Sequence, residues 1–422
     1  MIKTIAAFTT VALLAAACSG GSDATEDTTP TTDATTTTST TTTTTTTEPP
    51  ESTTTTTLVP GDDSIRQPLT GEVVESEDDL ETRPALAVKI DNNARARPNH
   101  SGLGVADIVF EEIVEVGTRF AAVFHTEGSD PVGPIRSGRE QDVNLLSSLN
   151  EPLFAWSGGN PGVTRLIRDS FLTDLNPSSA GAGAYYRGPG RAPHDFYSTT
   201  DDLYALTPED HPGAPSQQFT YVRPDEEFEG REVSAFDLAL DTNDVRWEWD
   251  DETGGFARFQ EGTRHVDVVS GDIFATNVVV MVLDYVPSSI DRNSPDAQTL
   301  GSGPAYVFSN GQVQTGRWAR DIAVGAIRLT DADGELIGLT PGNTWVELAE
   351  IGDDESFLLP PVPQPPVTDD GDAGEPVATD EPTTTEPPST DEPAVTEPGP
   401  AVPQIDLDNP DLAPTSITIE FV

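Results

Sequence analysis

Between residues 89 and 142 the chain is dense in groups that could hold or move charge. Lys89-Ile90-Asp91-Asn92-Asn93 leads into Arg95-Ala96-Arg97-Pro98. Glu111, Glu115 and Arg119 follow, and Gly133-Pro134-Ile135-Arg136-Ser137-Gly138-Arg139 closes the stretch. A guanidinium fork grips a carboxylate or a phosphate through two parallel hydrogen bonds. Asp91, Asn92, Arg97, Arg119, Arg136, Ser137 and Arg139 are therefore candidate ligand-binding residues. Ser137 and Gly138 are small, which leaves backbone N–H groups approachable by an anion. A helix starting near Glu140 would aim its positive end at the same place. In an acidic chain a second reading stands beside this one. Arg95, Arg97, Arg119, Arg136 and Arg139 could be consumed in internal pairs with Asp91, Asp107, Glu111 and Glu115.

A second stretch, Tyr185 to Tyr197, combines aromatic rings, Arg187, Arg191, glycines and His194 in one loop. Arg191 and His194 join the ligand-binding candidates. His194 is also an acid–base candidate, although a lone loop histidine more often bonds a carbonyl. Glu111, Glu115 and His194 are the weak catalytic candidates, since paired carboxylates flanking a sugar suit glycoside cleavage. Other chemistries are excluded by residue type. The only lysines are Lys3 and Lys89, neither in a Ser-x-x-Lys motif, and no Gly-x-Ser-x-Gly or phosphate-cradling Gly-rich lysine loop occurs. None of the five histidines stands four residues from another, so a helix-borne zinc pair is ruled out. Asp331-Ala332-Asp333-Gly334 reads as a β-turn, because a calcium loop needs its glycine later and a closing glutamate. No metal and no cofactor is expected.

The elements that must position these groups follow from periodicity. Ala85–Ile90, Asp107–Val114 and Arg119–Phe124 are β-branched or aromatic runs of strand length. Glu140–Leu149 and Gly162–Asp169 carry helical apolar spacing, and Thr199 or Thr200 can cap a short helix. Leu153–Trp156 reads as a buried strand. From residue 245 the pattern is nearly all strand, with Ser309-Asn310-Gly311 and Asp333-Gly334 as hairpin signals. The expected fold class is mixed α/β: an amino-terminal α/β lobe and a carboxy-terminal, mostly antiparallel β lobe, flanked by disordered tails.

The formal charge is −50, from 22 basic and 72 acidic residues. Residues 83–351 hold 41 acids and 20 bases; residues 19–82 and 352–422 hold the other 31 acids with a single base, Arg66. That balance argues against nucleic acid as a partner and against electrostatic adhesion to anionic lipid. Lys3 followed by the short apolar run Ile5–Ala17 is a secretory signal. Cys18 is the chain's only cysteine. Internal disulfides and a cysteine nucleophile in the folded part are thus excluded. Its position after Ala15-Ala16-Ala17 resembles a bacterial lipobox, with Ala15 where that pattern has leucine. The resemblance implies diacylation of Cys18, an anchor two chains strong. The expected location is the extracytoplasmic face of the cell membrane.

The expected order is a signal peptide (1–17), lipidated Cys18 with a Thr-rich disordered stalk (18–82) and an α/β domain (83–222). A connector (223–244), a β-rich domain (245–351) and a Pro-, Thr- and acid-rich tail (352–422) follow. The period-two alternation of Ile417-Thr418-Ile419-Glu420-Phe421-Val422 marks 415–422 as a candidate terminal strand.

Three strings carry a family resemblance: DNNARARPNHSGLGVADIVFEEIVEVGTRFAAVF, GPIRSGR and RAPHDFYSTTDDLY. They are similar to the amino-terminal domain of the YerB-like lipoproteins. VFSNGQVQTGRWAR and LTPGNTWVEL resemble that family's carboxy-terminal domain. The likeness spans roughly residues 83–350, and Val116 stands where the family more often has glycine. It implies a mixed α/β fold and a cell-envelope lipoprotein, and it implies no activity. Three functions remain open. One is a non-enzymatic module binding an anionic cell-wall or peptide ligand, or a partner protein. Another is an envelope hydrolase or transferase using carboxylates and His194. The last is a structural scaffold.

Overall fold

The computed structural model describes residues 62–351 and 417–422. The signal peptide, Cys18, the Thr-rich run and most of the acidic tail lie outside the described residues. The centre of the fold is a run of strands apolar enough to be buried on both faces. β1 (Leu86–Asp91), β2 (Ile108–Ile113) and β3 (Thr118–Phe124) contain no exposed residue. β3 pairs antiparallel with both neighbours, placing Arg119 opposite Asp91 on one side and Glu112 on the other. β4 (Leu153–Ala155) runs parallel to β1, and β5 (Thr173–Asp174) parallel to β4.

Three short helices attach to this sheet: α1 (Gln141–Leu146), α2 (Pro161–Arg168) and α3 (Thr200–Tyr204). α2 begins where Asn160 accepts from Val163 N–H at 2.9 Å and Pro161 supplies a pre-set φ. Thr199 caps α3 by accepting from Asp202 N–H at 3.0 Å. The later strands are Arg231–Leu240, Asn243–Asp250, Gly255–Gln260, Asn277–Leu283, Gly301–Ser309, Gln312–Arg320 and Thr344–Glu350. Asn310 and Gly311, at φ 48° and 68°, make the tight turn between Gly301–Ser309 and Gln312–Arg320. Asp331 O accepts from Gly334 N–H at 3.2 Å, closing the turn at Asp331–Gly334.

The described residues are mostly strand, and three expectations are corrected. The first is the division into two lobes. All these strands belong to a single mixed 16-stranded sheet. The join is Thr344–Glu350, which lies parallel to Asn277–Leu283 on one side and to β2 on the other. A strand's partner across more than 200 residues cannot be read from its local pattern. The second correction is the connector at 223–244, which contains the ten-residue strand Arg231–Leu240. Its charged start and alanines hide the alternation, yet Val233, Ala235, Phe236, Leu238 and Leu240 are all buried. The third is the stalk, which ends earlier than residue 82. Leu69 is fully buried, Tyr221 Oη donates to its carbonyl at 2.7 Å, and Arg66 Nη2 donates to Val222 O at 2.9 Å. A few apolar anchors in polar sequence were enough to dock this segment.

The strand Ile417–Phe421 pairs antiparallel with Arg231–Leu240. Ile417 is fully buried, and Arg246 binds Glu420 through both Nη atoms at 3.0 and 2.9 Å. The exposed ion pair contributes little; burial of one isoleucine is worth about 2–3 kcal/mol. Removing residues 417–422 should therefore lower unfolding free energy by about that amount, with the urea midpoint as the measurement. An unchanged midpoint would show the strand to be dispensable.

Candidate functional site

Because side chains alternate along a strand, the polar groups of residues 89–142 divide between the two faces of the sheet. Leu86, Val88 and Ile90 of β1 join the core on one face, while Ala87 joins the other. Lys89 and Asp91 therefore share the face of Ala87. Glu111 and Thr118 point the opposite way to Glu112 and Arg119.

The face bearing Glu111 is a sealed network. Arg258, itself fully buried, donates through Nη2 to Glu111 Oε2. It also donates through Nη1 to Gln260 Oε1 at 3.0 Å and to His265 Nδ1 at 2.6 Å. Its guanidinium lies 5.4, 5.7 and 5.0 Å from the ring centres of Phe120, Trp247 and Trp345. Since arginine can only donate, His265 Nδ1 is an acceptor and Nε2 carries the proton. Nε2–H then donates to His100 Nδ1 at 2.7 Å, and His100 Nε2–H to Asp91 O at 2.6 Å. Both rings are neutral; burial first, and Arg258 in addition, push His100 down to about 4 and His265 well below its ordinary value. Glu347 accepts from Trp247 Nε1 at 3.0 Å. Burial first, then Glu111, hold its carboxyl well above the ordinary range. Asn92 donates to Glu111 Oε1 and Thr118 Oγ1 at 3.1 and 2.7 Å. Arg97 reaches Asn92 O at 3.3 Å and Asn243 Oδ1 at 3.4 Å. Asn92 and Glu111, both candidates from sequence, are thus closed off from any ligand. Arg258, His265 and Glu347 were missed; the available signal was a charged residue inside an apolar strand, as in Gly255–Gln260 and Thr344–Glu350.

The opposite face has a sealed part and an open part. In the sealed part Lys89 Nζ contacts Glu112 and donates to Asp142 Oδ1 at 2.7 Å, with all three side chains fully buried. Gln141 donates to the other Glu112 oxygen. Burial first, then Asp142, raise the Glu112 carboxyl to about 7 against the opposing pull of Lys89.

The open part lies at the ends of β1 and β3. Asp91 Oδ2 accepts from Arg136 Nε at 3.1 Å and from His194 Nδ1 at 2.6 Å. Arg136 Nη1 reaches Ser137 Oγ at 3.4 Å. Ser137 O accepts from Arg119 Nη1 at 3.1 Å and Arg139 Nη1 at 3.5 Å. One chain of hydrogen bonds therefore links His194, Asp91, Arg136, Ser137 and Arg119. Arg139 Nη2 is bound by Glu115 at 2.5 Å, and Ser294 Oγ donates to the other Glu115 oxygen at 2.8 Å. Burial raises Glu115, but Arg139 and Ser294 more than offset this and hold it at about 2.

Arg119 differs from its neighbours. It is 9 % exposed, and Ser137 O is its only hydrogen-bond acceptor among the described residues. Its Nε and Nη2 have no partner there, and neither atom is sealed from solvent. No described carboxylate pairs with it. Burial first, then the charges of Arg139 and Arg136, push it down to about 10. His194 resembles it in one respect: Nδ1 is engaged, while Nε2 has no partner among the described residues and is not sealed.

The structure thus brings Asp91, Arg119, Arg136, Ser137, Arg139 and His194 together. Arg191 is exposed and holds the loop through its carbonyl, which accepts from His194 N–H at 2.9 Å. The expected helix end contributes nothing. α1 has only six residues, and Asp142 Oδ2 already accepts from Arg139 N–H at 2.6 Å. Of the weak catalytic candidates, Glu115 has both oxygens taken by Arg139 and Ser294 and Glu111 is sealed, so only His194 keeps an atom without a partner among the described residues.

Comparison with known proteins agrees with this architecture. Residues 69–213 match the description "Protein of unknown function (DUF3048) N-terminal domain", and residues 236–346 match its C-terminal domain. A Bacillus subtilis (strain 168) protein named "Putative lipoprotein YerB" is 26 % identical over 303 residues, covering 67 % of this chain and 86 % of that one. The crystal structure of the B. subtilis YerB protein superimposes with a TM-score of 0.57 at 23 % identity, covering 67 % of this chain and 96 % of that chain. No helix among the described residues is long and apolar enough to cross a membrane. With both family domains matched in order, the chain belongs to the YerB-like family of proteins of unknown function.

Proposed function

We propose that this chain is a membrane-anchored, extracytoplasmic binding module that holds an anionic ligand at Arg119. The observation that carries this reading is the state of the Arg119 guanidinium, nine-tenths buried and without a carboxylate partner among the described residues. Desolvating a cation without a counter-charge is costly. Arg320, also buried without a carboxylate, is satisfied by three backbone carbonyls, whereas Arg119 keeps Nε and Nη2 without a partner among the described residues, which suits an anion supplied from outside. The flanking arginines are already matched, Arg136 by Asp91 and Arg139 by Glu115. Both also contact Ser137, whose carbonyl holds Arg119. Anchoring is supported by the position of Cys18 behind Ala15-Ala16-Ala17 and by the lipoprotein name of the Bacillus relative.

The test separates binding from stability. Arg119→Met keeps the length of the stem and removes the charge. Isothermal titration with small carboxylates and with inorganic phosphate should show binding to the native protein, weakened at least tenfold in the variant. The melting temperature of the variant should be equal to or above the native value, because no internal ion pair is broken. A marked fall in melting temperature would mean that Arg119 is a structural residue.

A further inference from the structure

We infer that the group held at Arg119 is a carboxylate with a hydrogen-bond donor on its α-carbon, as at the end of an acylated peptide, and that His194 Nε2 accepts from that donor. This rests on the anion-binding reading and narrows it. Three observations lead to it.

The first is the shape of the free edge. With Nη1 occupied by Ser137 O, Arg119 offers Nε–H and Nη2–H. These two parallel donors lie in one plane and match the two oxygens of a planar carboxylate. A tetrahedral phosphate would present at least one further oxygen for which no free donor is described.

The second is charge. Arg119, Arg136 and Arg139 carry three positive charges, and Asp91 and Glu115 supply two negative ones. Lys89, Glu112 and Asp142 form their own sealed set. With His194 in its neutral form, one positive charge is left over, which a monoanion neutralises. A dianion would leave surplus negative charge beside Asp91 and Glu115.

The third is the tautomer of His194. Asp91 bonds Arg136 as an ionised carboxylate, so it can only accept. His194 Nδ1 must therefore donate to it, at 2.6 Å. In the neutral ring this leaves Nε2 as a lone pair with no partner among the described residues. A lone pair repels anionic oxygen and attracts N–H or O–H. The same Asp91 oxygen also holds Arg136, whose Nη1 touches Ser137, whose carbonyl holds Arg119. The acceptor and the cationic fork are therefore fixed relative to one another through three residues. An α-acylamino acid likewise presents its carboxylate and its N–H at one fixed spacing.

Three probes decide the matter by calorimetry on the native protein: N-acetylalanine, O-acetyllactate, which has an ester oxygen in place of the amide N–H, and inorganic phosphate. N-acetylalanine should bind at least tenfold more tightly than either of the others. His194→Leu should erase its preference over O-acetyllactate. His194→Gln, which retains an acceptor, should restore at least part of that preference and guards against a folding defect in the leucine variant. Arg119→Met should weaken both carboxylates. An acylated tripeptide acid that binds more tightly than N-acetylalanine assigns the ligand to a peptide end, and equal binding assigns it to a free acylated amino acid. Phosphate binding as well as N-acetylalanine, or a preference that survives His194→Leu, overturns the inference while leaving anion binding intact. Failure of all probes to bind the native protein overturns both.

Discussion

Lys89→Met should lower the unfolding free energy by about 3–5 kcal/mol at pH 8, the usual cost of removing one partner from a buried ion set. Lys89 is the only cation described in contact with Glu112 and Asp142, and all three side chains are fully buried. Methionine fills the same stem volume, so the loss is electrostatic. The deficit should depend on pH in a definite direction. Glu112 is raised in the folded state, to about 7 from an ordinary 4.5. A raised acid contributes stability that is complete below 4.5 and disappears as pH climbs through the folded value. Without Lys89 the folded value rises further, so Glu112 takes up a proton more readily and shields the site from its own charge. The difference between native and variant protein should therefore shrink steadily from pH 8 toward pH 5. Guanidinium melts at several pH values measure this, and a pH-independent deficit would show that packing, not charge, is what Lys89 contributes.

Arg258→Met should be at least as damaging, about 3–5 kcal/mol from the orphaned Glu111 carboxylate with up to about 2 kcal/mol more from lost cation–π contact. Glu111 loses its guanidinium partner, and Glu347, already kept well above the ordinary range by burial and by Glu111, loses the opposing pull of the Arg258 charge. Arg258→Lys should not rescue. An ammonium cannot serve Glu111, Gln260 and His265 together as the planar guanidinium does. Denaturant midpoints for both variants check this; near-native stability of the lysine variant would reduce Arg258 to a point charge. The contrast with Arg119 is instructive. All three are buried cations, but Lys89 and Arg258 are consumed by internal carboxylates and Arg119 is not.

The legible and the hidden parts of this fold differ by range. β1, β2 and β3 stand out because β-branched and aromatic runs of strand length have few alternatives. The Thr199 cap is local chemistry and was readable. Arg231–Leu240 was not, since its alanines and acids blur the alternation that only packing reveals. The clustering of Asp91, Arg119, Arg136, Ser137 and Arg139 was approachable from sequence, because Asp91 and Arg119 lie at strand ends and the other three in one short loop. Whether each arginine pairs internally was not. Arg139 meets Glu115 and Arg136 meets Asp91, while Arg119 meets no described carboxylate, and nothing in their local sequence distinguishes them. Arg258 and Glu347 were hidden for a simpler reason: their partner Glu111 lies more than 140 residues away in the chain.

The placement of Thr344–Glu350 between β2 and Asn277–Leu283 also bears on how fast the molecule can form. β2 is synthesised more than 230 residues before its parallel neighbour, and Asn277–Leu283 more than 60. Until that strand arrives, two apolar strands at the centre of the final sheet each present an unpaired edge. Ordering long intervening chain before such pairings form makes folding slow, and open apolar edges invite association with other chains. A nascent chain that stalls before residue 344 therefore lacks the strand that covers both edges.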